Sequence, residues 1–202
     1  MHATARHFLV AASVLLIGRG VPVPADGQGI DIDEGGWFVL GLGMGTANIS
    51  CDGCTRGWNS GGPTLLAQVG GTLSPHLRLG LGLDEWWYLP ADSTAKLVKT
   101  ATALLHYYPF GRRFYVEAGA GWSRVFVLEG RAEAKGNGLG LASGLGYDVR
   151  VRGVKLAPRI NYDYGLIGQV RFPDRGPPYA RRGLFAKGWK HQVLSAGLGV
   201  GI

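Results

Sequence analysis

The feature that most narrows what this chain can fold into is a two-residue alternation in which one face is greasy and the other nearly bare. Leu77, Leu79, Leu81, Leu83 and Trp87 share one parity, while Arg78, Gly80, Gly82 and Asp84 share the other. The pattern recurs early, with Phe38, Leu40, Leu42 and Met44 against Gly41, Gly43 and Gly45. It recurs at the end, with Leu194, Ala196, Leu198, Val200 and Ile202 against Ser195, Gly197, Gly199 and Gly201. A period of two places alternate side chains on opposite faces of a β-strand. The 35 glycines among 202 residues follow no G-X-Y period, which excludes collagen. They also argue against helices, where each Gly costs about 1 kcal/mol relative to Ala.

Eight segments carry the alternation: about 36–49, 63–73, 77–88, 96–108, Phe114 to Ser123, 138–149, 154–164 and 189–202. Short connections near residues 75, 111 and 151 alternate with longer ones at 50–62, 89–95, 128–137 and 165–188. Short turns on one side and long loops on the other predict an all-β fold, an eight-stranded antiparallel up-and-down transmembrane β-barrel over residues 36–202. Both termini then lie at the short-turn, periplasmic end. A soluble lipocalin-like barrel, binding a hydrophobic ligand, would turn its apolar face inward and need a polar exterior. The Gly- and Ala-rich second face suits a narrow lumen instead. The aromatics Trp87, Tyr107, Phe114, Trp122, Tyr147, Tyr162 and Tyr164 fall near strand ends, as interfacial girdles do. The face assignment of segment 96–108 stays open, because both its parities carry apolar residues.

Residues 1–25 have the layout of a cleaved signal peptide: Arg6 and His7, an apolar stretch Phe8–Ile17, and small residues at Val23-Pro24-Ala25. Ten apolar residues are too few for a spanning helix. Residues 26–35 form a short segment before the barrel. Loss of Arg6 and Arg19 takes the formal charge from +7 to +5. Because the cations are dispersed apart from one late segment, nucleic acid is not an expected partner.

Three stretches resemble the small bacterial outer-membrane β-barrel domains that include the transmembrane domain of OmpA: Phe114-Tyr-Val-Glu-Ala-Gly-Ala-Gly121, Gly138-Leu-Gly-Leu-Ala-Ser-Gly-Leu-Gly146 and Gly197-Leu-Gly-Val-Gly-Ile202. The resemblance spans about residues 35–202. It implies the outer membrane of a Gram-negative bacterium, at most small conductance, and recognition by the barrel-assembly machinery through Leu198, Val200 and Ile202. Ile202 stands where many members end in Phe.

On the Gly face, Arg78, Lys155 and Arg159 oppose Asp84, Glu117, Asp148 and Asp163, which predicts a lumen filled by an ion-pair network. The alternative is a narrow pore for ions or small solutes. Cys51-Asp-Gly-Cys54 in the first long loop predicts a disulfide in an exported protein; the same spacing serves half a zinc site or a redox motif, but the other zinc ligands and a βαβ context are missing. The last loop carries Arg171, Arg175, Arg181, Arg182 and Lys187 against Asp174. That charge suits lipopolysaccharide phosphates or another polyanion, and equally a solvated loop. No cofactor motif and no metal-ligand set is legible. His191 and Ser195 share a parity but lie about 13 Å apart along a strand, so no catalytic pair is expected. The expected role is structural or one of surface interaction, as a monomer contacting outer-membrane lipids.

Overall fold

The computed structural model describes residues 35–52, 58–90, 94–110, 113–129, 132–168, 170–171 and 188–202. The expected leader, Cys54 and most of the basic loop lie outside the described residues. Ten strands follow in chain order: β1 (Gly36–Ser50), β2 (Trp58–Ser74), β3 (Leu77–Tyr88), β4 (Thr94–Tyr107), β5 (Phe114–Glu129), β6 (Ala132–Tyr147), β7 (Val149–Val151), β8 (Val154–Gly168), β9 (Val170–Arg171) and β10 (Trp189–Gly201). β7 continues β6 beyond Asp148, and β9 continues β8, so the ten segments make eight staves. Each stave pairs antiparallel with its neighbour, and β10 returns to pair with β1 from Val39↔Gly201 to Ser50↔Lys190. Closure satisfies the strand edges, which a lipid environment requires.

The turns at the terminal end are tight. Between β7 and β8, Arg152 (φ 51°) and Gly153 (φ 84°) both occupy the left-handed region, as a two-residue hairpin turn of the primed type demands. At the Pro75-His76 turn, His76 Nδ1 lies 2.8 Å from the Tyr108 carbonyl oxygen and ties that turn to the end of β4.

The apolar parity faces outward. Leu42 and Leu81 are 70% and 63% exposed, whereas Gln68 and Glu117 on the other parity are 1% exposed. This removes the soluble, ligand-enclosing alternative. Segment 96–108 resolves the same way, with Leu97, Ala101, Ala103, Leu105 and Tyr107 outward and Val98, Thr100, Thr102, Leu104, His106 and Tyr108 inward. Tyr107, Phe114 and Tyr147 ring the turn end of the apolar belt, and Trp87, Trp122 and Tyr164 ring the other. From Phe114 to Trp122 is about 26 Å along the strand, or about 20 Å across the membrane at a usual tilt. Pro158 sits on this outer face in unbroken register with Leu198.

The strands run farther than the alternation suggested. β2 begins at Trp58 and β8 reaches Gly168, while β5 and β6 stay paired to Glu129↔Ala132. The expected long connection at 128–137 is therefore mostly strand. The cause is an inversion of polarity at unchanged register. On β5, Val116 and Trp122 point outward below the upper girdle; above it Arg124 points outward, followed by Phe126 and Leu128, while Val125 and Val127 point inward. β1 repeats this with Thr46 and Asn48 outside and Ala47 and Ile49 inside. β10 does so with Lys190 and Gln192 outside and Trp189 and Val193 inside. Within the membrane the barrel is apolar outside; above it, the interior of these staves turns apolar and polar side chains such as Thr46, Arg124 and Lys190 appear outside, beside remaining apolar ones such as Phe126 and, on β8, Leu166.

Candidate functional site

The lumen is layered along the barrel axis. At the terminal end, Asp148 collects Tyr108 Oη, which donates at 3.1 Å, together with Arg78 Nη1 at 3.6 Å and Lys155 Nζ at 3.7 Å. The Arg78 guanidinium also stacks 4.8 Å from the Tyr108 ring centroid. Tyr115 closes over the next layer, its ring filling the space a Cβ on Gly146 would take. Trp37 similarly lies against the bare backbones of Gly70 and Gly80. Glycine on the inner parity thus makes room for large rings from facing strands in a bore that eight strands leave narrow.

At mid-height Arg159 is held by three partners from three strands. It donates through Nη2 to Glu117 Oε2 at 2.7 Å, through Nη1 to Gln68 Oε1 at 3.0 Å, and through Nε to Asn161 Oδ1 at 3.1 Å. Gln68 Nε2 donates to the same Glu117 oxygen at 2.8 Å, and His106 Nε2 stands 2.9 Å from it. His106 is in turn sandwiched between Trp37 and Tyr115, each 4.9 Å away by ring centroid. Gln68, His106 and Asn161 belong to this network and were missed in the sequence. Gln68 and Asn161 carry no formal charge and so gave no sign of balancing a lumen charge, although all three lie on the inner parity.

The seven ionisable residues expected to form one network separate instead. Arg78, Lys155 and Asp148 form a lower group, and Glu117 with Arg159 forms a central one. Asp84 and Asp163 form no ion pair among the described residues; Asn161 Nδ2 stands 3.5 Å from Asp84 Oδ1, and Asp84 Oδ2 and Asp163 Oδ1 have no hydrogen-bond partner.

Above these polar layers the lumen turns apolar. Ala47, Ile49, Trp86, Val98, Val125, Val127, Ala134, Ile167, Val170, Trp189 and Val193 form one buried cluster, with Cys51 and Tyr88 packed against it. At the boundary His191 Nε2 lies 2.5 Å from Ser123 Oγ, which also lies 3.3 Å from Thr100 Oγ1. A serine and an imidazole in contact are the start of a nucleophilic site, and Ser123, rather than Ser195, is the partner of His191. Both side chains are 0% exposed, enclosed by the apolar cluster above and the charged layers below. Among the described residues no cluster of three or more His, Cys, Asp or Glu side chains could hold a metal ion.

Outside, one outward position beyond Trp122 on β5, a polar row crosses four staves in register: Glu85↔Lys99, Lys99↔Arg124 and Arg124↔Asn137. Lys99 Nζ and Glu85 Oε1 are 2.5 Å apart. Arg171 ends β9, while Arg175, Arg181, Arg182 and Lys187 of the basic loop lie outside the described residues. Leu198, Val200 and Ile202 project outward from the closing stave.

No family profile and no curated protein sequence matches the chain. Solved structures do. The barrel is similar to Neisserial surface protein A at a TM-score of 0.52 and 20% identity, over 81% of this chain and 96% of that one. It is also similar to Ail, the attachment invasion locus protein of Yersinia pestis, in a structure with the heparin analogue sucrose octasulfate; there the TM-score is 0.53, with 10% identity over 83% of this chain and 99% of that one. The fold is that of the small barrels of the bacterial outer membrane, and the apolar belt places the chain in that membrane.

Proposed function

We propose that this outer-membrane barrel is a non-conducting platform that presents its extracellular loops for surface interaction. The observation that carries this reading is the double closure of the bore. Charged layers around Glu117 and Asp148 fill its membrane half, and the apolar cluster around Trp86 and Trp189 fills its outer half. A dry apolar segment opposes ion passage even where polar groups lie beneath it. The same cluster stiffens the part of the barrel that rises above the upper girdle, so that loops are carried on a packed stalk. Planar-bilayer recording of the purified protein tests the closure: no discrete conductance steps are expected, and reproducible unitary steps from the wild-type barrel would replace this reading with the narrow pore.

The loop that ends at Lys187 supplies the chemistry for a partner. Arg171, Arg175, Arg181, Arg182 and Lys187 offer guanidinium forks and an ammonium group to lipopolysaccharide phosphates or to a sulfated polyanion of the kind held in the Ail structure. Replacing all five by Gln is expected to lower the salt concentration at which the barrel leaves a heparin column, leaving its heat-modifiable mobility unchanged. Elution at the wild-type salt concentration would assign the loop no binding role. In this reading Cys51 and Cys54 form a disulfide that braces the first long loop, and Leu198, Val200 and Ile202 serve the assembly machinery. The barrel acts as a monomer without a cofactor, and Ser123 and His191 have no catalytic role, because no substrate can reach them.

A further inference from the structure

Charge in the central lumen does not balance within the protein. Glu117 takes the guanidinium of Arg159, and Asp148 takes Arg78 and Lys155. Asp84 and Asp163 are left, the first part-buried and the second fully buried, each with one buried oxygen that has no hydrogen-bond partner. A carboxylate out of water needs a counter-charge or a full set of hydrogen-bond donors to stay ionised, and otherwise takes up a proton. Both line one cavity of about 10 Å³, room for a single water-sized occupant, and Thr64, Thr100 and Ser195 line it with them. Asp163 is 4% exposed, so its free oxygen cannot be served by bulk solvent. A second small cavity, of about 20 Å³, joins Asp84 and Arg159 with Thr64, Asn161 and Ser195.

Counting Asp84, Asp163 and Glu117 against Arg159 leaves two negative charges in excess around this space. Trp86, Val98 and Val193 complete the lining with Glu85, whose carboxylate is held by Lys99. The donors left for a ligand are all oxygen: the carboxylates of Asp84 and Asp163 and three hydroxyls, from β2, β3, β4, β8 and β10. Such a set suits a hard cation, and a cavity with no room for a full hydration shell favours calcium over magnesium, which keeps its waters. We propose that the cavity between Asp84 and Asp163 binds one calcium ion, a structural cation that ties opposite walls of the barrel together.

The test uses the full-length barrel purified from membranes, unfolded and refolded in detergent with EDTA or with calcium chloride. The loss of the folded, fast-migrating band is followed against temperature. Calcium at about 100 times its dissociation constant is expected to raise the midpoint by about 5 °C or more. Asp84→Asn and Asp163→Asn should each abolish that rise. Native mass spectrometry of the wild-type protein should show one calcium per barrel, a readout that stands even if a variant fails to fold. No calcium-dependent rise and no bound calcium in the wild type would overturn the proposal and assign protons to the two carboxylates. A rise that persists unchanged in both variants would overturn it equally, placing the calcium elsewhere.

Discussion

Arg159→Ala is expected to destabilise the folded barrel by about 3–5 kcal/mol, among the largest effects of any single substitution in the lumen. Removing the guanidinium strips Glu117 of its 2.7 Å partner and leaves its carboxylate, 1% exposed, with only Gln68 Nε2 and the His106 ring against it. It also frees Gln68 and Asn161, each of which accepts from the same side chain. Glu117→Gln in the Arg159→Ala background should restore a large part of the loss, because no charge then remains to be buried. Urea titration of the barrel in lipid vesicles, read by the heat-modifiable band, measures both. If the double variant proves less stable than Arg159→Ala alone, the central pair does not have the role assigned to it.

The inversion of polarity along β1, β5 and β10 gives the second large effect. Leu81→Arg, at an outward site in the middle of the apolar belt, is expected to cost about 2–4 kcal/mol and to reduce insertion. Gly82→Ser, one residue away on the lumen side, should be mild, since the new Cβ meets the flexible end of Leu104. Above the upper girdle the rule reverses. Val125→Asp places an unpaired carboxylate in the apolar cluster and should cost several kcal/mol, whereas Arg124→Leu on the outer face should leave stability within about 1 kcal/mol. Equal costs for Val125→Asp and Arg124→Leu would mean that the upper staves are not packed as described.

The membrane half of the barrel was open to reading from residues alone because its two faces differ so much in kind. Leu79, Leu81 and Leu83 against Gly80, Gly82 and Asp84 leave one register and one direction for β3. The upper half was hidden by the inversion. When Trp122 gives way to Arg124 outside and Ser123 to Val125 inside, the alternation does not stop but changes sign, and a search for one greasy parity ends the strand there. β4 looked ambiguous for a related reason, since Val98 and Leu104 fill the interior while Leu97 and Leu105 face outward. The charged lumen residues were identifiable by parity, but their partners were not. Arg159 and Glu117 are 42 positions apart, and only strand order around the closed barrel decides that they meet while Asp84 and Asp163 find no cation. Ser123 and His191, 68 positions apart, meet for the same reason.

The most direct test of the two-zone barrel is a nitroxide scan along the outer face of β5, at positions 116, 118, 120, 122, 124 and 126, with Cys51 and Cys54 changed to Ser and the protein in lipid vesicles. Collision rates with oxygen, which partitions into lipid, and with a water-soluble nickel chelate are compared at each position. The expected result is oxygen-dominated accessibility from 116 to 122 and nickel-dominated accessibility at 124 and 126. Lipid-like accessibility at all six positions, or water-like accessibility at all six, would contradict a barrel that exchanges its inner and outer polarity at the level of Trp122.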